Sequence, residues 1–150
     1  MFTKMLLCFD GSKESHAALK QGAELAAACG AEVHLLAVIR TNAMTLVGET
    51  LSTEVPLAEY QLEVEKILHE GVEGLRQLGI TAHGHVAIGD PVTEIAAAAR
   101  RLSADLIVLG HHSQSAFARW WRGSPDVLLV DAVHTSILIC IEPPGAHPNP

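Results

Sequence analysis

Basic residues are scarce in this chain: 10 lysines and arginines stand against 17 aspartates and glutamates, giving a formal net charge of −7 and a pI near 5.6. No basic stripe is available to release phosphate counterions, which argues against nucleic acid as a partner. Cysteine is sparse as well. Cys8, Cys29 and Cys140 lie far apart and inside apolar runs, so neither a CxxC metal pair nor a redox dithiol can be built from them, and they read as small core residues. Long apolar runs are missing too. None approaches the roughly 18 residues of a membrane span, and Asp10 arrives too early for a secretory leader, so the expectation is a cytoplasmic protein with no membrane partner. There is also no nucleophile elbow, no P-loop and no dinucleotide fingerprint, and hence no catalytic residue to nominate. A response-regulator chemistry needs clustered acids after the first strand and a lysine after the last, whereas Asp10 stands alone and Glu142 follows the last strand.

What is present is apolar material in short, ordered runs. Hydrophobic residues make up 49% of the 150 residues, charged ones 18%, and the mean hydropathy is +0.26, as expected where a parallel sheet is covered on both faces. Residues 5–9 form an unbroken apolar run that ends at Asp10-Gly11-Ser12, the mark of a buried strand followed by a turn. Ser12 then caps a helix with apolar positions Ala18, Gly22, Leu25 and Cys29, and Gly30 stops it. A second strand follows over 33–39, then a long crossover loop over 41–56, then a helix from Leu57 that ends at Gly79. Residues 80–88 alternate, with Thr81, His83 and His85 on one face, which predicts a strand at a sheet edge. Asp90 before Pro91 is a cap followed by proline at the first helical position, opening a third helix with an inward stripe of Val92, Ile95, Ala96, Ala99 and Leu102. A buried strand over 106–109 ends at Gly110; Val127, Val130 and Val133 suggest a short fourth helix, and 137–141 a last strand.

Five strands alternating with four helices predict a Rossmann-like α/β fold: a three-layer α/β/α sandwich around a five-stranded parallel sheet, with ligands bound outside the carboxyl ends of the first and fourth strands. The domain is expected over 1–142, with a proline-rich tail over 143–150. Two polar, glycine-bearing segments meet at that crevice: Asp10-Gly11-Ser12, and Gly110 through Gly123-Ser124. Glycine permits close backbone approach, and Gly123-Ser124 before the fourth helix offers free N–H groups to an anion. Arg119 and Arg122 in the same loop would either neutralise phosphate or stand solvated, and Trp120 and Trp121 anchor the loop. Of the nine histidines, His83 with His85 and His111 with His112 complete no ligand spacing; they read as polar surface and a pH-sensitive loop, and no metal site is expected.

The spacing Gly110-x2-Ser113-x9-Gly123-Ser124 resembles the universal stress protein signature, with serine at the second glycine. Asp10-Gly11-Ser12, Gly89-Asp90-Pro91 and the run from Ala104 to Gly110 are similar to that family as well, so that the resemblance spans residues 3–141. It implies an adenine nucleotide alpha hydrolase-like fold and a stress-response protein that binds ATP, with magnesium as the candidate accompanying ion, without strong catalysis, slow hydrolysis aside. By the same resemblance, adenine and ribose contacts fall on Cys8, Phe9, Asp10 and Val38, with Asp10 assigned to the ribose. Phosphate contacts fall on Gly110, His112, Ser113, Gly123 and Ser124, joined by Arg122. A homodimer through strand 137–141 is also implied. The alternative is a dimeric interaction module of the same fold that does not bind ATP because Ser113 replaces the motif glycine.

Overall fold

The computed structural model describes residues 1–40, 57–110 and 129–141. The elements follow in the expected order: β1 (Lys4–Cys8), α1 (Lys13–Cys29), β2 (Glu32–Arg40), α2 (Leu57–Gln77), β3 (Ala82–Gly89), α3 (Pro91–Leu102), β4 (Leu106–Gly110), α4 (Leu129–Ala132) and β5 (Ser136–Cys140). The crossover loop over 41–56, the glycine loop from residue 111 and the tail from 142 lie outside the described residues.

The sheet has five strands in the order β3-β2-β1-β4-β5, and all four pairings are parallel. β3 is an edge strand, as its alternating pattern predicts, and β5 forms the other edge. Successive connections run outward from β1 to β3 and then, from β4 to β5, in the opposite direction. The order therefore reverses between β1 and β4, where parallel neighbours leave a crevice at their carboxyl ends.

Alternation along the central strands sends side chains into two cores. Met5, Leu7, Val33, Leu35, Ala37, Ile39 and Val108 face one side, under α1 and α2. Leu6, Cys8, Leu36, Ile107 and Leu109 face the other, where α3 covers them with Val92, Ile95, Ala98 and Ala99. Strands buried on both faces explain the lack of alternation in their sequence. The helix starts are set by the anticipated caps. Ser12 Oγ accepts the Ser15 N–H at 3.2 Å, and Asp90 Oδ2 accepts the Thr93 N–H at 3.0 Å with Pro91 next to it. Gly30 closes α1 in the left-handed conformation.

Several strand boundaries differ from the expectation by one or two residues. β1 ends one residue early, although the Phe9 N–H still donates to the Leu36 carbonyl at 2.9 Å and keeps the backbone on the ladder. β5 likewise ends at Cys140, leaving Ile141 63% exposed. In α4 it is Leu129 that is buried, whereas Val130 is 52% exposed; Val133, just beyond the helix, is partly buried against the same core, and Val127 lies outside the described residues.

Candidate functional site

The crevice between β1 and β4 is built from the first turn of α1. After Phe9 the chain turns through Gly11 at φ +80°, a conformation that L side chains rarely adopt, and the Asp10 carboxylate accepts the Ser12 N–H at 2.9 Å. That turn aims the N-terminus of α1 back over the sheet. It also fixes an exposed carboxylate, that of Asp10, at the rim. Ser15 is buried in the first turn, with its hydroxyl donating to the Ser12 carbonyl at 2.9 Å.

Across the crevice β4 ends at Gly110, in register with Cys140 of β5. A Cβ at position 110 would run into the Glu14 carbonyl and sit 3.0 Å from the Ser15 N. The first turn of α1 thus rests directly on the backbone of Gly110. Its missing side chain is a packing requirement between β4 and α1, in addition to any ligand role. The pairing partners Glu14 and Ser15 carry no motif of their own and are visible only once β1 and β4 are neighbours.

Each site residue nominated from the sequence can be placed in turn. Cys8 is 3% exposed in the core beneath α3, and its thiol is pushed well above the ordinary range by burial and then by the nearby Asp10 charge. Such a thiol stays protonated and inert, so only the backbone of Cys8 faces the crevice. Phe9 is also buried, on the opposite face, with its ring edge-on to His16 at a centroid distance of 5.0 Å. Val38 lies two positions beyond the residue paired with Cys8, packed partly against the core under α3. The fold therefore brings Cys8, Phe9, Asp10 and Gly110 to one end of the sheet, with Val38 beside them on β2. His112, Ser113, Arg122, Gly123 and Ser124, together with His111, Arg119, Trp120 and Trp121, lie outside the described residues.

One grouping was missed from the sequence. His83 and His85 meet the buried His34 of β2, beside Glu32, at the opposite end of the sheet from the crevice. They are therefore not scattered polar surface. The Glu32-x-His34 and His83-x-His85 alternations were available as a signal, but only the parallel register of β2 with β3 joins them.

Comparison with known proteins fits this architecture. The sequence model of the universal stress protein family matches residues 1–140. The chain belongs to the universal stress protein family. A universal stress protein of Bacillus subtilis, YxiE, is 34% identical over 131 residues, covering 83% of this chain and 88% of that one. Among solved structures, the universal stress protein from Archaeoglobus fulgidus in complex with dAMP has a TM-score of 0.67 at 15% identity, covering 91% of this chain and 96% of that one. A family member from Arabidopsis thaliana with AMP bound has a TM-score of 0.63 at 13% identity, covering 98% and 97%. The α/β sandwich around a five-stranded parallel sheet is thus the family's fold. Among the described residues of this universal stress domain, no three histidine, cysteine, aspartate or glutamate side chains are grouped to hold a metal ion, and no helix is long and apolar enough to cross a membrane.

Proposed function

We propose that this universal stress domain is a cytoplasmic stress-response protein that binds an adenine nucleotide, ATP by the motif's phosphate spacing, across the carboxyl ends of β1, β2 and β4. The observation that carries the reading is the crevice at the sheet's point of reversal, floored by Gly110 and rimmed by the exposed Asp10 carboxylate. Its described residues suit the nucleoside half. The carboxylate of Asp10 accepts ribose hydroxyls, the partly buried Val38 offers apolar surface to the base, and the backbone of Cys8 and Phe9 supplies polar edges. Phosphates would extend toward His112, Ser113, Arg122, Gly123 and Ser124, where an arginine and glycine-flanked N–H groups suit an anion. A carboxylate beside phosphates repels them, which keeps Asp10 on the ribose side. AMP and dAMP in the family's solved structures support the same ligand class. The role is read as binding with at most slow hydrolysis. The domain spans residues 1–142, and it pairs with a second copy along strand 137–141.

A second reading is favoured by one residue. Ser113 stands where the family signature has glycine, and a Cβ there would cost about 1 kcal/mol if the position needs a left-handed backbone. In that case the domain acts as a dimeric interaction module with no ATP. Calorimetry with ATP and AMP on the wild-type chain and on Ser113→Gly separates the readings. Binding by the wild type at or below millimolar concentration is expected. Binding by the glycine variant alone assigns the chain to the interaction modules, and no binding by either form ends the nucleotide reading.

A further inference from the structure

At the amino-terminal ends of β2 and β3, on the face covered by α3, lies a polar cluster that nucleotide binding does not use. His34 is 6% exposed and engages both ring nitrogens: Nε2 lies 2.7 Å from Glu32 Oε1, and Nδ1 lies 2.8 Å from Nε2 of His85. The rings of His83 and His85 tilt against His34 with centroids 5.1 and 5.0 Å away. Lys4 of β1 approaches Glu32 at 3.8 Å, and Arg101 in the last turn of α3 is the cationic neighbour of His85 from the helix layer.

The protons of this array can be counted. A carboxylate only accepts, so Nε2 of His34 carries a proton toward Glu32. Only one proton fits between two nitrogens 2.8 Å apart. Either neutral His34 accepts at Nδ1 from His85, or protonated His34 donates from Nδ1 to a neutral His85. The pair therefore accommodates one proton beyond its neutral state. A second sets N–H against N–H and forces the rings apart. A metal reading is disfavoured, because His34 already has both nitrogens in hydrogen bonds and no three ligands are grouped for an ion among the described residues.

We propose that Glu32, His34 and His85 form an acid-released latch that pins the edge strand β3 to the sheet, holding at neutral pH and opening when the pair takes up its second proton. Among the described residues β3 has β2 as its only strand neighbour, so this side-chain contact adds to one backbone ladder and to the packing of Gly84 against Leu68 and Val72 of α2. The direction of the pH dependence follows from His85. Burial, and then the charges of His34, Arg101 and His83, hold its imidazole below the ordinary value of 6.5. A detached or unfolded strand takes the proton more readily, so the latch is intact above about pH 6.5 and weakens as the pH falls through that value. Glu32, held below the usual carboxylate range first by its hydrogen bond to His34, stays charged through that window.

Amide hydrogen exchange on the full chain, corrected for the intrinsic pH dependence of exchange, tests the latch. From about pH 7.5 to about pH 5.5, protection over 82–89 is expected to fall by roughly tenfold, while β4 changes less. His85→Gln keeps a hydrogen-bonding amide opposite His34 but cannot titrate, and it is expected to flatten that dependence. An equal loss in β3 and β4, or an unchanged dependence in the variant, overturns the proposal. Ring 15N spectra of the wild-type chain give a second readout independent of the variant's folding. A proton retained on Nε2 of His34 with coupled titration of the two rings supports the latch, and independent titration of two ordinary imidazoles overturns it.

Discussion

A methyl group at position 110 would have no space, because the nearest atoms are the Glu14 carbonyl and the Ser15 N, backbone of a helix that cannot step aside as a side chain can. Gly110→Ala is accordingly expected to destabilise the fold by about 1–3 kcal/mol, the usual cost of overpacking, read as a lower urea midpoint with an unchanged slope. A variant as stable as the wild type would show that α1 is free to shift. The motif glycine was legible in the sequence; its packing role was not, because the residue it would strike lies about a hundred positions away in the chain. Cys8 shows the converse. Its burial could be foreseen from the apolar run around it, and the thiol's raised pKa follows from that burial.

At the scale of elements, the stops and starts that use unusual residues could be read and those that use ordinary ones could not. Ser12, Gly30 and the Asp90-Pro91 pair each have a side chain or backbone freedom suited to one position, and each sits where its chemistry predicts. α3 instead ends on Ser103, held at φ 55° and ψ 42° in the left-handed region, with its N–H on the Arg100 carbonyl at 3.1 Å. Serine gives no signal of such a stop, since a non-glycine residue there is strained. Ser103→Gly is expected to raise stability by about 0.5–1 kcal/mol, the relief of a Cβ in that region partly offset by the greater freedom of glycine in the unfolded chain. Thermal denaturation measures it, and a lowered Tm would mean that the serine side chain stabilises the stop. The histidine latch was illegible for a different reason: each strand carries half of it, and only the register of β2 against β3 brings His34 to His85.

On the scale of the whole molecule, a five-stranded open sheet leaves two edges, and the chain treats them differently. β3 places His83 and His85 toward its neighbour's buried histidine and has Gly84 between them, features that discourage pairing with another chain. β5 is apolar from Ile137 to Cys140, with Ile137, Leu138 and Ile139 only partly buried and Ile141 63% exposed just beyond it. An apolar edge strand of this kind is stable in water when a symmetric partner covers it, which is the basis for the proposed pairing of two copies along 137–141. Ile141→Lys tests this with little risk to the fold, since the side chain is already outside the core. Sedimentation of the wild type at about 10 μM is expected to give a dimer, and the lysine variant, with two like charges brought close at the symmetric contact, a dissociation constant raised at least about tenfold, equivalent to roughly 1.4 kcal/mol. Far-UV circular dichroism should be unchanged. A wild type that sediments as a monomer, or a variant that dimerises as tightly as its parent, would place the pairing surface elsewhere and leave the apolar edge of β5 to a different partner.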